Sequence, residues 1–278
     1  MPSGYGGLSG QVKSPYSKNI DPLGSSTGSA VSVACHFIPV SIGTETNGSL
    51  TAPALMNSIQ TIKPTMGMVS RTGIIPISHH QDIAGPMARK VEDLAIVLDQ
   101  ICGYDPEDNS TFLLKDKSFD FYNAIHSELK NKRIGFIKFK NLSYSDEEIA
   151  IEKEAKKIFK QNGFHIVELE ESAEQISNYK TLIYDFKVDL NHFMDRYMMD
   201  YHLHSLKDII KFNLEDPDIR MKYGQSIFET SENMSEASRK SEYQQYFTEN
   251  LNKASLISRL LEEHQLVSVT SVKRSSYA

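Results

Sequence analysis

Cysteine is nearly missing from this chain: Cys35 and Cys102 are the two thiols among 278 residues. No metal-binding or redox spacing links them, which excludes a disulfide framework and a cysteine metal site. Each lies in an apolar segment and reads as a buried thiol in a reducing compartment, which points to the cytoplasm. Long hydrophobic runs are also lacking. None approaches the ~18 residues that a membrane-crossing helix needs. Positive charge is short, with 30 Lys and Arg against 36 Asp and Glu, a net of −6. No basic stripe with interleaved aromatics appears, so nucleic acid is not an expected partner. There is no internal repeat, and the polar, glycine-rich opening MPSGYGGLSGQ is not a signal peptide. Two sequence motifs are missing as well: the G-x-x-x-x-G-K-[ST] phosphate loop and the G-x-G-x-x-G dinucleotide turn.

What is present is the composition of a globular protein. The chain is 40% hydrophobic and 24% charged, enough for one large domain or two ordinary ones around a sizeable core. Residues 1–24 read as loop. A helix is expected from Ser25 or Ser26 to about Phe37, a strand over 38–42, a helix opening at Ser49, and a strand over 60–63. Residues 65–86 are rich in Gly and Pro, with short extended pieces at 68–70 and 74–77. A helix over 91–102 with Gly103 as its C-cap follows. Beyond a linker over 104–131, strand 133–139, helix 146–161 and strand 164–169 predict a parallel crossover. Residues 172–214 and 232–263 read as helical, and 266–272 as the start of a strand. The fold class is α/β, a mixed sheet flanked by helices, incomplete at both ends. Residues 1–105 form one expected domain and 106–278 the other.

The chemistry concentrates in residues 24–53, GSSTGSAVSVACHFIPVSIGTETNGSLTAP. Two Gly/Ser-rich turns, 24–29 and 44–49, flank a helix and a short strand. Glycines and small hydroxyls cluster where backbone N–H groups approach a ligand and a hydroxyl must be presented uncrowded. Ser49 follows Thr46-Asn47-Gly48 and stands at a helix start, where successive N–H groups can converge on an anion. Ser25 sits in an equivalent Gly-Ser-Ser turn, placed to relay a proton between Ser49 and a base. The alternative is that both turns only cap helices; a phosphate cradle lacks its lysine.

Residues 24–105 resemble the amidase signature family. The resemblance lies in Gly24-Ser25-Ser26-Thr27-Gly28-Ser29-Ala30 and in Gly43-Thr44-Glu45-Thr46-Asn47-Gly48-Ser49-Leu50. It continues through Pro53-Ala54, Lys63-Pro64-Thr65, Gly67-x-Val69-Ser70-Arg71-x-Gly73, Gly85-Pro86-Met87-Ala88-Arg89 and Val91-Glu92-Asp93. It runs more loosely to about residue 170. The family hydrolyses amides with a serine, a second serine in a cis peptide, and a lysine. The resemblance implies that Ser49 is the nucleophile and Ser25 the middle serine. The N–H groups of Thr46, Asn47, Gly48 and Ser49 would form the oxyanion hole. It implies no cofactor and no metal, and a small-molecule or peptide amide as substrate. Asn47 departs from the glycine common at that position.

The family's lysine lies some tens of residues before the first turn, whereas 24 residues precede Ser25 here. Lys13, Lys18 and Lys63 do not match its context. The sequence-based expectation is therefore an internal portion of an amidase, impaired for want of its base and of marginal stability through exposed strand edges. Three functions stay open: an active small-amide hydrolase, an inert remnant, and the amidase subunit of a tRNA-dependent amidotransferase. The Tyr/Lys-rich helical insert looks more like stand-alone or peptide-type amidases.

His79, His80 and Asp82 carry the side chains of a Ser-His-Asp relay or a metal site. In the family's Pro-x-Ser-x-x-x-Asp stretch, however, Asp82 has a structural role, hydrogen-bonding the nearby turns. His192, Asp195, His202 and His204 include two potential ligands on one helical face. Their Met-, Tyr- and Phe-rich surroundings favour a packed or substrate-facing amphipathic helix. Arg71 and Arg89 are expected to pair with buried carboxylates.

Overall fold

The computed structural model describes residues 2–129, 131–173, 179–234 and 236–273, leaving aside the side chains of 236–241. The strands in chain order are β1 (Tyr5–Gly6), β2 (Gly10–Gln11), β3 (Val40–Glu45), β4 (Gln60–Thr61), β5 (Ile83–Ala88), β6 (Arg133–Phe139), β7 (His165–Glu171) and β8 (Ser268–Thr270). The helices are α1 (Thr27–Ala34), α2 (Thr51–Met56), α3 (Val91–Ile101), α4 (Phe121–Ala124), α5 (Asp146–Gln161), α6 (Tyr179–Tyr197), α7 (Leu206–Glu215), α8 (Pro217–Arg220), α9 (Ser226–Asn233), α10 (Glu236–Ala254) and α11 (Leu256–Glu263). The chain is mixed α/β, with sheets flanked by helices. It divides into two units, one of Met1–His126 with Leu182–Ser235, the other of Ser127–Thr181 with Glu236–Ala278.

In the first unit β5 is the middle strand of an antiparallel sheet ordered β3-β5-β4. Sequence pattern alone missed β5, because Gly85 and Pro86 both count against a strand. Pro86 is tolerated because its carbonyl still accepts from the Ile62 N–H and the Thr61 hydroxyl. Gly85 lies opposite Gly43 in the ladder. Leu50, fully buried, fills the space the two glycines leave: a Cβ on Gly43 would come within 2.7 Å of Leu50 Cδ1, and one on Gly85 within 2.8 Å of Leu50 Cδ2. Leu50 joins Ala30, Val33, Ala54, Ile59 and Met87 in the core beneath α1 and α2.

Several element ends differ from the sequence reading. Helix α1 stops at Ala34, and β3 starts at Val40 and runs to Glu45. The ladder of β4 covers Gln60–Thr61, because Pro64 follows closely and cannot donate. Of the expected extended pieces, Val69 makes one bridge, to Cys102, while 74–77 form no strand. Helix α3 ends at Ile101 with Cys102 as its C-cap, displacing Gly103 from that role. Both cysteines are free thiols, half-buried and not fully enclosed.

The second unit holds the expected crossover. Strands β6 and β7 pair in parallel, and β8 pairs in parallel on the other side of β6. Helix α5 begins with a capping box: the Ser145 hydroxyl accepts from the Glu148 N–H, and Glu148 reaches back to the Ser145 N–H. Ile137, Phe139, Leu169, Leu256, Leu260 and Leu266 make its core. Lys156 pairs with Glu152 one turn away and with Glu168 at 2.6 Å. Of the expected helical run 172–214, residues 174–178 lie outside the described residues, and the helix is interrupted by turns over 198–205, between α6 and α7.

Candidate active site

The two glycine–serine turns lie side by side in the first unit. The Ser26 N–H donates to the Ser49 carbonyl at 3.0 Å. The Ser26 hydroxyl bonds both backbone groups of Thr44, accepting from its N–H and donating to its carbonyl at 3.0 Å each. Ser26 therefore ties the first turn to the strand leading into the second, and makes no side-chain cap on α1. The Gly24–Ser25 peptide is cis. Ser29 adds a further tie, its hydroxyl donating to the Ile42 carbonyl at 2.8 Å.

Ser49 does not cap α2 as the sequence suggested. The helix starts at Thr51 with Leu50 as its N-cap, and the capping acceptor comes from Glu45. Glu45 Oε2 accepts from the Leu50 N–H at 3.0 Å, from the Thr51 N–H at 2.9 Å and from the Thr51 hydroxyl at 2.9 Å. Its other oxygen stands 3.2 Å from Lys63 Nζ. Glu45 is 1% exposed. Burial pushes its carboxyl up, but hydrogen bonds from Thr51, Leu50 and Gly48 N–H groups, with the Lys63 charge, outweigh this and hold it below the usual glutamate value. An ionised carboxylate thus braces the 45–51 loop from inside, leaving Ser49 free of the capping task. Sequence reasoning named Glu45 only as part of a motif. Its position four residues before Ser49, at the end of an apolar strand, was the available signal.

Asp82 braces the same loop from outside the strand. It accepts from the Thr46 hydroxyl at 2.5 Å, the Ile77 N–H at 2.7 Å and the Ser78 N–H at 2.9 Å. Burial raises its carboxyl above the ordinary value in spite of these three donors. Gly48 has φ +79°, the left-handed turn that glycine adopts without cost. Ser49 is half-buried, while Ser25 and Asn47 are exposed, so solvent reaches both turns.

Arg71 meets the expectation of a buried partner. Its Nε and Nη2 each lie 3.1 Å from an Asp108 oxygen, a bidentate pair. Burial opposes ionisation of Asp108, but Arg71 and Ser110 donors drive its carboxyl far below the usual range. Arg89 departs from the expectation: it donates to the Val33 and Ile38 carbonyls. His79 and His80 do not reach toward a serine nucleophile. They face Asp189 and Asp185 of α6, at 2.9 Å and 3.2 Å. The hydrogen bond to Asp189 raises the His79 imidazole, burial works against it, and the charges of Asp189 and Asp185 add to the rise. A cleft of about 740 Å³ opens among Arg71, Asp82, His79, Asp189, His192 and Tyr197. His192 lies on this cleft, and among the described residues it is not grouped with Asp195, His202 or His204 as a metal site. No helix of the described residues is long and apolar enough to cross a membrane.

The family model described as "Amidase" matches residues 2–267, well past residue 170, where the motif resemblance fades. A probable amidase of Arabidopsis thaliana is 34% identical over 98% of this chain and 54% of its own length. An amidase family protein of Bacillus anthracis superposes with a TM-score of 0.88 at 33% identity, over 100% of this chain and 56% of that one. The peptide amidase of Stenotrophomonas maltophilia superposes with a TM-score of 0.83 at 32% identity, over 97% and 56%. The chain thus spans about half the length of the proteins it matches.

Proposed function

Because the chain belongs to the amidase family, we propose that its chemistry is hydrolysis of a carbon–nitrogen amide bond through an acyl-enzyme on Ser49. The carrying observation is the Ser26 N–H to Ser49 carbonyl bond, which sets the two serine turns side by side. Ser49 Oγ attacks the amide carbon. Its proton passes through Ser25 to a base of the kind the family's lysine provides, which Lys13, Lys18 and Lys63 do not match, and from there to the departing nitrogen, so ammonia or an amine leaves. Water then attacks the ester, and the acid departs with Ser49 restored. The tetrahedral oxyanion rests against the N–H groups of Thr46, Asn47, Gly48 and Ser49, that of Gly48 being shared with the Glu45 carboxylate. No metal or cofactor takes part in this scheme.

The likeness to a peptide amidase favours small amides and amidated peptides as substrates. The free thiols of Cys35 and Cys102 suit a reducing compartment, and the cytoplasm is the proposed location. Ammonia release from a panel of amino-acid amides and C-terminally amidated peptides, with a small primary amine added to stand in for the base, tests the reading. Release by the wild type and none by Ser49→Ala supports it. Equal release by both contradicts it.

A further inference from the structure

Away from the serine turns, the segment carrying His79 and His80 packs on α6 through a cluster the amidase scheme does not use. Asp185 is 0% exposed and Asp189 9% exposed, one helical turn apart on α6. Asp185 Oδ2 accepts from the Ser78 hydroxyl at 2.5 Å and lies 3.2 Å from His80 Nδ1. Asp185 Oδ1 is buried and has no hydrogen-bond partner. A buried carboxylate oxygen without a donor is costly, and an ion or a water is what ordinarily satisfies one.

We propose that His79, His80 and Asp185 bind one divalent transition-metal ion of the zinc, cobalt or nickel class. One ligand atom from each of the three lies within 4.8 Å of the others. Two ligands ~2.1 Å from a tetrahedral ion stand roughly 3.4 Å apart, and His80 Nδ1 stands 3.2 Å from Asp185 Oδ2. Small side-chain rotations close the rest of the set, and water fills the fourth position. Imidazole with carboxylate is the donor set such ions take in preference to calcium or magnesium.

The surrounding contacts are those of a ligand shell. His79 Nδ1 is 2.9 Å from both oxygens of Asp189, and a carboxylate only accepts, so Nδ1 carries the proton. That leaves Nε2 of His79 for the ion, oriented by Asp189 behind it, the arrangement that carboxylates give to metal-bound histidines. The Ser78 hydroxyl holds Asp185 in the same way. The rings of His79 and His80 are 3.7 Å apart between centroids. A single ion between them supplies counter-charge to two buried carboxylates without placing two imidazolium rings face to face. His79 is half-exposed at its side chain, so the ion has an entry path. On binding, His80 carries its ring proton on Nε2 so that Nδ1 faces the ion, and the ion fastens the 78–82 loop to α6. Asp82, in that loop, holds Thr46.

The test is titration of the purified full chain, freed of metal by chelation, with cobalt(II), followed by its visible absorption and by equilibrium dialysis with zinc. Neither readout depends on turnover. The expected result is one ion per chain, a tetrahedral cobalt spectrum displaced by zinc, and at least ~10-fold weaker binding in His79→Ala and in His80→Gln. The double change His202→Ala/His204→Ala, made at histidines outside the cluster, leaves binding intact. His80 is partly exposed and His80→Gln keeps much of its bulk, so unchanged far-ultraviolet circular dichroism checks that this variant is folded. Absence of stoichiometric binding by the wild type overturns the proposal. So does binding that survives both cluster substitutions undiminished.

Discussion

The Ser26 amide and the Ser49 carbonyl, 23 positions apart in sequence, are hydrogen-bonded at 3.0 Å, so the two turns share one short backbone bridge. What holds that bridge in place is the glycine pair beneath it. Gly43 faces Gly85 across the ladder, and Leu50, the residue after Ser49, is seated over both.

Gly85→Ala is expected to destabilise the first unit by more than Gly43→Ala. A Cβ at Gly85 meets the Ile62 carbonyl oxygen at 2.3 Å, a backbone atom that cannot step aside. At Gly43 the nearest atoms are side-chain ends of Leu50 and Ser26, at 2.7 and 2.9 Å. Overpacking of this kind costs ~1–3 kcal/mol, with Gly85→Ala at the upper end. Urea denaturation of the two variants measures the order, and a milder Gly85→Ala contradicts it.

Glu45→Ala is expected to cost ~1–3 kcal/mol, because it strands the Leu50 and Thr51 N–H groups and takes the Glu45 carboxylate away from Lys63. The same contacts set a pH dependence. The folded carboxyl titrates below the unfolded one, whose ordinary value is 4.5. Its stabilisation is therefore complete above that value and is lost as pH falls through the lower folded value. Glu45→Gln keeps the shape and removes this acid-sensitive part. Denaturation midpoints at neutral and acid pH should converge for wild type and Glu45→Gln as pH falls. A gap that stays constant argues against the ionised brace.

Thr46→Val preserves shape and deletes the hydroxyl that donates to Asp82. The loop loses its outer tie, and the N–H groups beside Ser49 drift from the oxyanion position. Turnover should fall about tenfold to a hundredfold, with a loss of stability near 1 kcal/mol. Amide hydrolysis and thermal melting, measured on the same sample, separate the two effects. Unchanged turnover removes Thr46 from the positioning role.

Ser145→Ala tests the second unit by itself. It removes one half of the capping box on α5 and should cost ~1 kcal/mol. Hydrogen exchange read residue by residue should show the loss in the first turn of α5. A fully protected first turn contradicts it.

Much of this was legible in the sequence, for physical reasons that differ by segment. Strand β6 and helix α5 were read at their full bounds, because RIGFIKF is almost wholly buried and Ser145 with Glu148 announces a helix start. Strand β5 was hidden because glycine and proline weigh against a strand locally, while here Gly85 admits Leu50 and Pro86 keeps its carbonyl in use. The serine turns were visible from their small residues. The Glu45 brace was not, since its role depends on a helix start that comes after it. The return of Leu182–Ser235 to the first unit also left no local mark. It rests on pairs such as His79 with Asp189, 110 positions apart, which no window of sequence contains.

The most direct test of the central claim is labelling with a fluorophosphonate probe, with and without an added small primary amine to stand in for the base. The modified residue is then located by mass spectrometry of the digest. The account predicts a single adduct on Ser49, faster with the amine, lost in Ser49→Ala and slowed in Ser25→Ala. An adduct on another residue, or none under either condition, contradicts the assignment of Ser49 as the nucleophile.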